Sequence, residues 1–81
     1  MNPELILGVV EEGLVLINKL VPDQAMRLQT EINEIRELWL HEYSKGNLRN
    51  DSMLDHLELR LAGLRQLFAI ACQSANAKIK S

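Results

Sequence analysis

The side chains that could carry chemistry are two histidines, eleven acidic residues and one cysteine. His41 and His56 fall in different predicted helices, and no local spacing supplies the three or four converging ligands that a zinc site needs. Glu11 and Glu12 are adjacent, so on a helix their carboxylates diverge by about 100° and do not form a catalytic pair. No serine lies in a nucleophile-elbow motif, and no glycine-rich phosphate loop is present. We therefore expect no enzyme, no metal and no cofactor, unless a site assembles across subunits.

The cysteine and the N-terminal segment bear on where the protein works. Cys72 stands alone, so it forms no intrachain disulfide, which fits a reduced, intracellular setting. A lone cysteine is more often a small buried hydrophobe than a reactive thiol. The N-terminus lacks the basic region of a signal peptide, and Glu11 and Glu12 interrupt the apolar run. We expect a cytoplasmic protein without a membrane span, with peripheral membrane contact as a lesser alternative.

Charge is distributed unevenly along the chain. Residues 1–45 carry eight acidic and four basic side chains, a net charge of −4. Residues 46–81 carry three acidic and five basic side chains, a net charge of +2. Complementary packing between the two halves explains this, and so does a basic C-terminal face that meets an acidic partner. The overall charge of −2 does not favour a general nucleic-acid binder.

Helix signals divide the single domain, residues 1–81, into three elements. Asn2 can cap helix 1, and Pro3 suits its first position, so we place this helix at about 3–20. Pro22 separates it from helix 2, at about 23–44. The polar stretch 46–51 predicts a loop, and helix 3 follows at about 52–78. Helices 2 and 3 are long enough to form an antiparallel hairpin.

The apolar residues of helix 3 alternate in steps of three and four, as in a heptad repeat. This row predicts the oligomer interface: Leu54, Leu57, Leu61, Leu64, Phe68, Ala71 and Ala75. We call these seven residues the seam. Its small C-terminal residues would allow close approach of a partner helix.

The apolar surface exceeds what one small chain can cover. Val9 and Leu16 widen the stripe of helix 1, and Leu59 lies on the outer side of helix 3. Gly8 and Gly13 weaken helix 1, which is expected where a neighbour approaches closely. We therefore expect an all-α fold, a three-helix chain with a long antiparallel helical hairpin that forms a helical bundle as a homodimer.

Aromatic and basic side chains are the candidates for binding a different protein. We expect Phe68 in the core, and Trp39 and Tyr43 either in the core or in a binding patch. Arg60 and Arg65 could contact a partner or phosphates. Helices 2 and 3 are joined by about six residues, which does not fit the tight turn of a DNA-binding helix-turn-helix.

One stretch resembles a known family. Lys19-Leu20-Val21-Pro22-Asp23, followed by a charged amphipathic helix, is similar to the N-terminal region of three-span phage holins over about 25 residues. This chain departs from them because no membrane spans follow, so holin activity does not carry over. The resemblance implies a phage origin, and with it the host cytoplasm.

Together these patterns favour a non-enzymatic protein–protein interaction module. The expected role is a small phage-encoded regulator or inhibitor that occupies a surface of a host protein. The alternative is a DNA-associated regulator or a structural component of a phage particle. A heterologous protein partner and self-association are both expected, whereas nucleic acid and membrane are unlikely partners.

Overall fold

The chain folds into three α-helices. The computed structural model describes residues 3–45 and 51–80, which contain α1 (Pro3–Ile17), α2 (Pro22–Ser44) and α3 (Asp51–Lys80). The described residues contain no strand. The predicted all-α class is therefore confirmed. The predicted cap at Asn2 and most of the predicted loop, residues 46–50, lie outside the described residues.

The end of α1 differs from the predicted boundary. The helix stops at Ile17, three residues early, and residues 18–20 form a turn. The amide of Leu20 donates to the carbonyl of Ile17 at 3.0 Å, which tightens the last turn. Val21 then adopts φ −135° and ψ 64°, because the proline that follows disfavours helical geometry at this position. Pro22 occupies the start of α2, where its missing N–H costs no helical hydrogen bond.

Polar contacts between helices define the topology. Glu4 and Glu11 of α1 both reach Arg36 of α2, and Glu11 also accepts from Gln29, so α1 and α2 run antiparallel. Ion pairs from α3 back to α2 make the second antiparallel pair. Lys78, near the end of α3, donates to the backbone carbonyl of Leu20 at 2.7 Å. The three helices thus form an up-down-up bundle in which α1 and α3 are parallel.

The core lies along the axis shared by the three helices. Its buried side chains are aliphatic throughout: Leu7, Val10, Leu14, Ile17, Val21, Ala25, Leu28, Ile32, Ile35, Leu57, Leu61, Leu64, Ala71 and Ala75. On each helix they recur every three or four residues, which places them on one face. Phe68, Leu20 and Ile6 pack against this core while partly exposed.

The helices differ in length, and this shapes one end of the molecule. Glu4, at the start of α1, lies beside Arg36, with 3.6 Å between Oε1 and Nε. The last turns of α2 and the first turns of α3 therefore extend beyond α1. We call this two-helix segment, residues 37–45 and 51–57, the hairpin end. The described chain measures 52 × 18 × 16 Å and is strongly elongated.

Candidate functional site

An aromatic pair occupies the hairpin end. Trp39 and Tyr43 lie one helical turn apart on α2, with ring centroids 4.8 Å apart and planes inclined by 32°. Trp39 is half-buried, whereas Tyr43 is 49% exposed and the neighbouring Leu40 is 56% exposed. The two predicted aromatic candidates thus meet and present part of their surface to solvent. Such amphipathic rings are common anchors of protein interfaces.

The position of this pair follows from the short α1. Arg36 of α2 pairs with Glu4 near the start of α1, and Leu40 and Tyr43 follow Arg36 on the same helical face, at steps of four and three. Leu40 and Tyr43 are about half exposed, so this face of the hairpin is partly open to solvent. Leu57 is fully buried at this end and Leu54 is half-buried, so the two helices still pack together here.

Glu42 is a buried carboxylate that sequence reasoning missed. Its side chain is 3% exposed and pairs with Lys45, with 3.0 Å between Oε2 and Nζ. The signal was present, since Glu42 stands three residues after Trp39 and continues the apolar stripe of α2. A charged residue in an apolar stripe marks the place where the packing of the helix changes.

Arg60 joins α3 to α2. Its Nη2 donates to Glu31 Oε2 at 2.7 Å and to Glu34 Oε2 at 2.9 Å. The hydrogen bond to Glu34 is the main cause that raises the pKa of Arg60, with a further bond to Glu31. This predicted partner-binding residue is therefore engaged within the chain. The pairs favour complementary packing as the explanation for the uneven charge.

Arg65 faces a different surface. It is exposed and forms no ion pair with any residue among 3–45 and 51–80. It borders a shallow apolar groove between α1 and α3, whose other lining residues are Leu5, Ile6, Val9, Val10 and Phe68. The structure thus separates the predicted binding candidates: Trp39 and Tyr43 lie at the hairpin end, and Arg65 lies at the middle of α3.

The seam of α3 packs inside the chain. Leu57, Leu61, Leu64, Ala71 and Ala75 are at most 2% exposed, and Leu54 and Phe68 are half-buried. The heptad pattern therefore marks the face that α3 turns toward α1 and α2. In this conformation the five buried side chains have no surface left for a second subunit. A subunit contact would have to use other residues.

Glu11 holds an ion-pair network between α1 and α2 that the sequence did not reveal. Arg36 Nη2 donates to Glu11 Oε1 at 2.6 Å, Arg36 Nη1 donates to Oε2 at 3.2 Å, and Gln29 donates to Oε2 at 3.1 Å. The hydrogen bonds from Arg36, followed by the one from Gln29, lower the pKa of Glu11. This two-pronged geometry fixes the rotation of α1 on α2.

The histidines and the cysteine are the remaining residues that could take part in catalysis or metal binding. His41 and His56 are both exposed, and Cys72 is half-buried against the core. Within the described ranges no three His, Cys, Asp or Glu side chains are grouped as metal ligands would be. Over the same ranges, every helix is too short or too polar to cross a membrane.

The described residues leave two apolar surfaces exposed. The hairpin end carries an exposed aromatic and aliphatic patch, and the outer side of α1 carries a second apolar surface. No protein-family model, curated protein sequence or solved structure matches this chain.

Proposed function

We propose that this chain is a non-enzymatic helical interaction module that binds another protein through the hairpin end. The finer proposal is a small phage-encoded regulator or inhibitor that occupies a surface of a host protein. The observation that carries the binding proposal is the half-buried Trp39 stacked on Tyr43, with Tyr43 and Leu40 exposed at the hairpin end. Partly exposed aromatics supply large contact area at low conformational entropy cost, which is why they dominate binding hot spots.

The shape of the hairpin end favours a helix as the bound element. Farther along the bundle, α1 lies in the groove between α2 and α3 and fills it with its apolar face. Tyr43 stands about two turns after Arg36 and Leu54 about four turns before Phe68, and both Arg36 and Phe68 lie against α1. We infer that the groove between these two sides continues beyond the start of α1. An amphipathic helix of a partner would lie there as α1 does over the rest of the hairpin.

The charged residues beside Leu54 indicate which charge the partner helix carries. Asp51 and Glu58 stand three residues before and four residues after Leu54, so they flank it on one face of α3. Both are exposed and form no ion pair with other described residues. Arg36 and Arg60 are already paired with other acidic residues of the chain. A partner helix with lysine or arginine beside its apolar face fits this groove best.

A pair of matched variants tests the proposal. Leu40→Lys places a charge in the patch, whereas Leu59→Lys makes the same change at an exposed leucine on the outer side of α3. A host protein captured by the wild-type chain would be identified, purified and titrated against both variants by calorimetry. We expect Leu40→Lys to weaken binding about tenfold or more and Leu59→Lys to leave it unchanged.

Two outcomes would contradict binding at the hairpin end. One is a purified partner that binds Leu40→Lys as tightly as the wild type. The other is a host lysate in which every captured protein is retained equally by Leu40→Lys. Circular dichroism of each variant checks that its helices are intact.

A further inference from the structure

The outer face of α1 is apolar although the helix already supplies a complete inner face. Leu5, Val9 and Leu16 are 68%, 65% and 79% exposed. With Glu12 they follow steps of four, three and four, which places all four residues in one line along the helix. We call Leu5, Val9, Glu12 and Leu16 the outer row. Large side chains this exposed, in a line, are typical of a surface that another molecule covers.

The spacing of the residues in the outer row is the same from either end of the helix. Its steps are symmetric about the point between Val10 and Glu11, so reversing the helix exchanges Leu5 with Leu16 and Val9 with Glu12. Two copies of α1 packed antiparallel across a two-fold axis therefore bring Leu5 of each copy onto Leu16 of the other. A two-fold contact requires a surface that is complementary to itself, and this row has that property.

Charge complementarity supports the same arrangement. Arg65 borders the groove beside Leu5 and Val9. The antiparallel arrangement places Glu12 of the second copy opposite Val9, and hence beside Arg65. Within residues 3–45 and 51–80, neither Glu12 nor Arg65 has an ion-pair partner. Each dimer would thus form two equivalent Glu12–Arg65 pairs, one on each side of the axis.

We propose that the outer row of α1 is the contact with a second copy of this chain, packed antiparallel and closed by the two Glu12–Arg65 pairs. This inference goes beyond the proposed function, because it uses a different surface and does not depend on the hairpin end. It moves the dimer contact predicted on α3 to α1. The seam of α3 is covered within the chain, whereas the outer row is covered by nothing among the described residues.

The size of the contact sets its expected strength. A helix of 15 residues is about 22 Å long, so one face of it buries less than the roughly 800 Å² per partner of a standard interface. The dimer is therefore weak. It is populated at hundreds of micromolar protein and dissociates at a few micromolar, on the order of the affinities expected for small interfaces.

Sedimentation equilibrium over about 5–500 µM at low salt measures this directly. Val9→Asp places an acid opposite Glu12 of the second copy, whereas Val15→Asp makes the same change at an exposed residue of α1 that lies off the outer row. We expect Val9→Asp to weaken dimerisation at least about tenfold and Val15→Asp to leave it near the wild-type value. Circular dichroism and denaturation verify that both variants fold.

Charge exchange tests the antiparallel pairing itself. Glu12→Arg and Arg65→Glu should each weaken the dimer about tenfold, and the double variant should recover most of the loss. A wild-type chain that is monomeric at every concentration would overturn the proposal and leave the outer row to a different protein. Equal dimerisation of Val9→Asp and the wild type, or a double variant no better than the single ones, would also overturn it. None of these outcomes bears on partner binding at the hairpin end.

Discussion

At the scale of single residues, Gly13 sets how closely α1 and α3 approach. A Cβ at this position would lie 2.7 Å from Cε1 and 3.3 Å from Cε2 of the Phe68 ring, which occupies the space above the glycine. The sequence predicted close approach at both Gly8 and Gly13, but only Gly13 has such a neighbour. A glycine shows that a contact is permitted, and only the folded chain shows which side chain uses it.

Substitution by alanine distinguishes a glycine that lies against another side chain from one that does not. Gly13→Ala should lower the free energy of unfolding by about 1–3 kcal/mol, because the Phe68 ring must move out of a packed position. Gly63→Ala, where a Cβ meets no atom within 4 Å, should instead stabilise α3 by up to about 1 kcal/mol. Urea denaturation at low micromolar protein measures both. Two variants that shift stability in the same direction would contradict the assigned contact.

The Glu11–Arg36 pair predicts a pH dependence of stability. Because the folded state lowers the pKa of Glu11, its contribution is present above the ordinary glutamate pKa and is lost as the pH falls through the lowered pKa. Glu11→Gln should therefore cost about 1 kcal/mol at neutral pH, and the difference from the wild type should vanish in acid. Glu12→Gln removes the adjacent exposed carboxylate, which forms no ion pair within residues 3–45 and 51–80 of its own chain, so at low micromolar protein it should cost much less at neutral pH. Denaturation of the wild type and both variants across this pH range measures these differences. Two variants that behaved alike would contradict the prediction.

At the scale of elements, the sequence predicts the helices better than their partners. Pro3 and Pro22 mark two helix starts correctly, and the steps of three and four in α3 identify its buried face. The pattern does not say what covers that face, because a heptad row packs equally well against the same chain or another one. The early stop of α1 at Ile17 was missed because it depends on the turn that docks α1 onto α2. At the opposite end of the bundle, Leu40 and Tyr43 follow Arg36, the α2 residue that pairs with Glu4 near the start of α1.

The unequal helix lengths predict unequal local stability. Residues 28–35 of α2 contain three buried core side chains, Leu28, Ile32 and Ile35, whereas residues 38–44 contain no buried hydrophobic side chain. Backbone amides with fewer buried neighbours open at lower free energy. Hydrogen exchange should therefore be faster across residues 38–44 than across residues 28–35 of the same helix. Uniform protection along α2 would mean that the hairpin end is covered as well as the rest.

At the scale of the whole molecule, the three helices cover only part of the apolar surface. Large hydrophobic side chains remain exposed on every helix, among them Leu16 on α1, Met26 on α2 and Ile70 on α3. A chain of this size buries only about 60–65% of its unfolded surface. The sequence indicated this surplus from its aliphatic content, but it assigned the subunit contact to α3. The exposed fractions of the side chains show which apolar surfaces remain available for association and which face is buried by folding.

The elongated shape determines where the two binding surfaces of a dimer would lie. The outer row lies on α1 level with Arg65, near the midpoint of α3, so a two-fold axis there would pass close to the centre of the rod. The two hairpin ends of a dimer would then point in opposite directions, separated by a distance on the order of the 52 Å length. Such a dimer could bridge two copies of a target, and its second attachment would benefit from a high effective concentration. A modest affinity at each hairpin end would then be enough to keep the dimer bound to a target that presents many copies of the same surface.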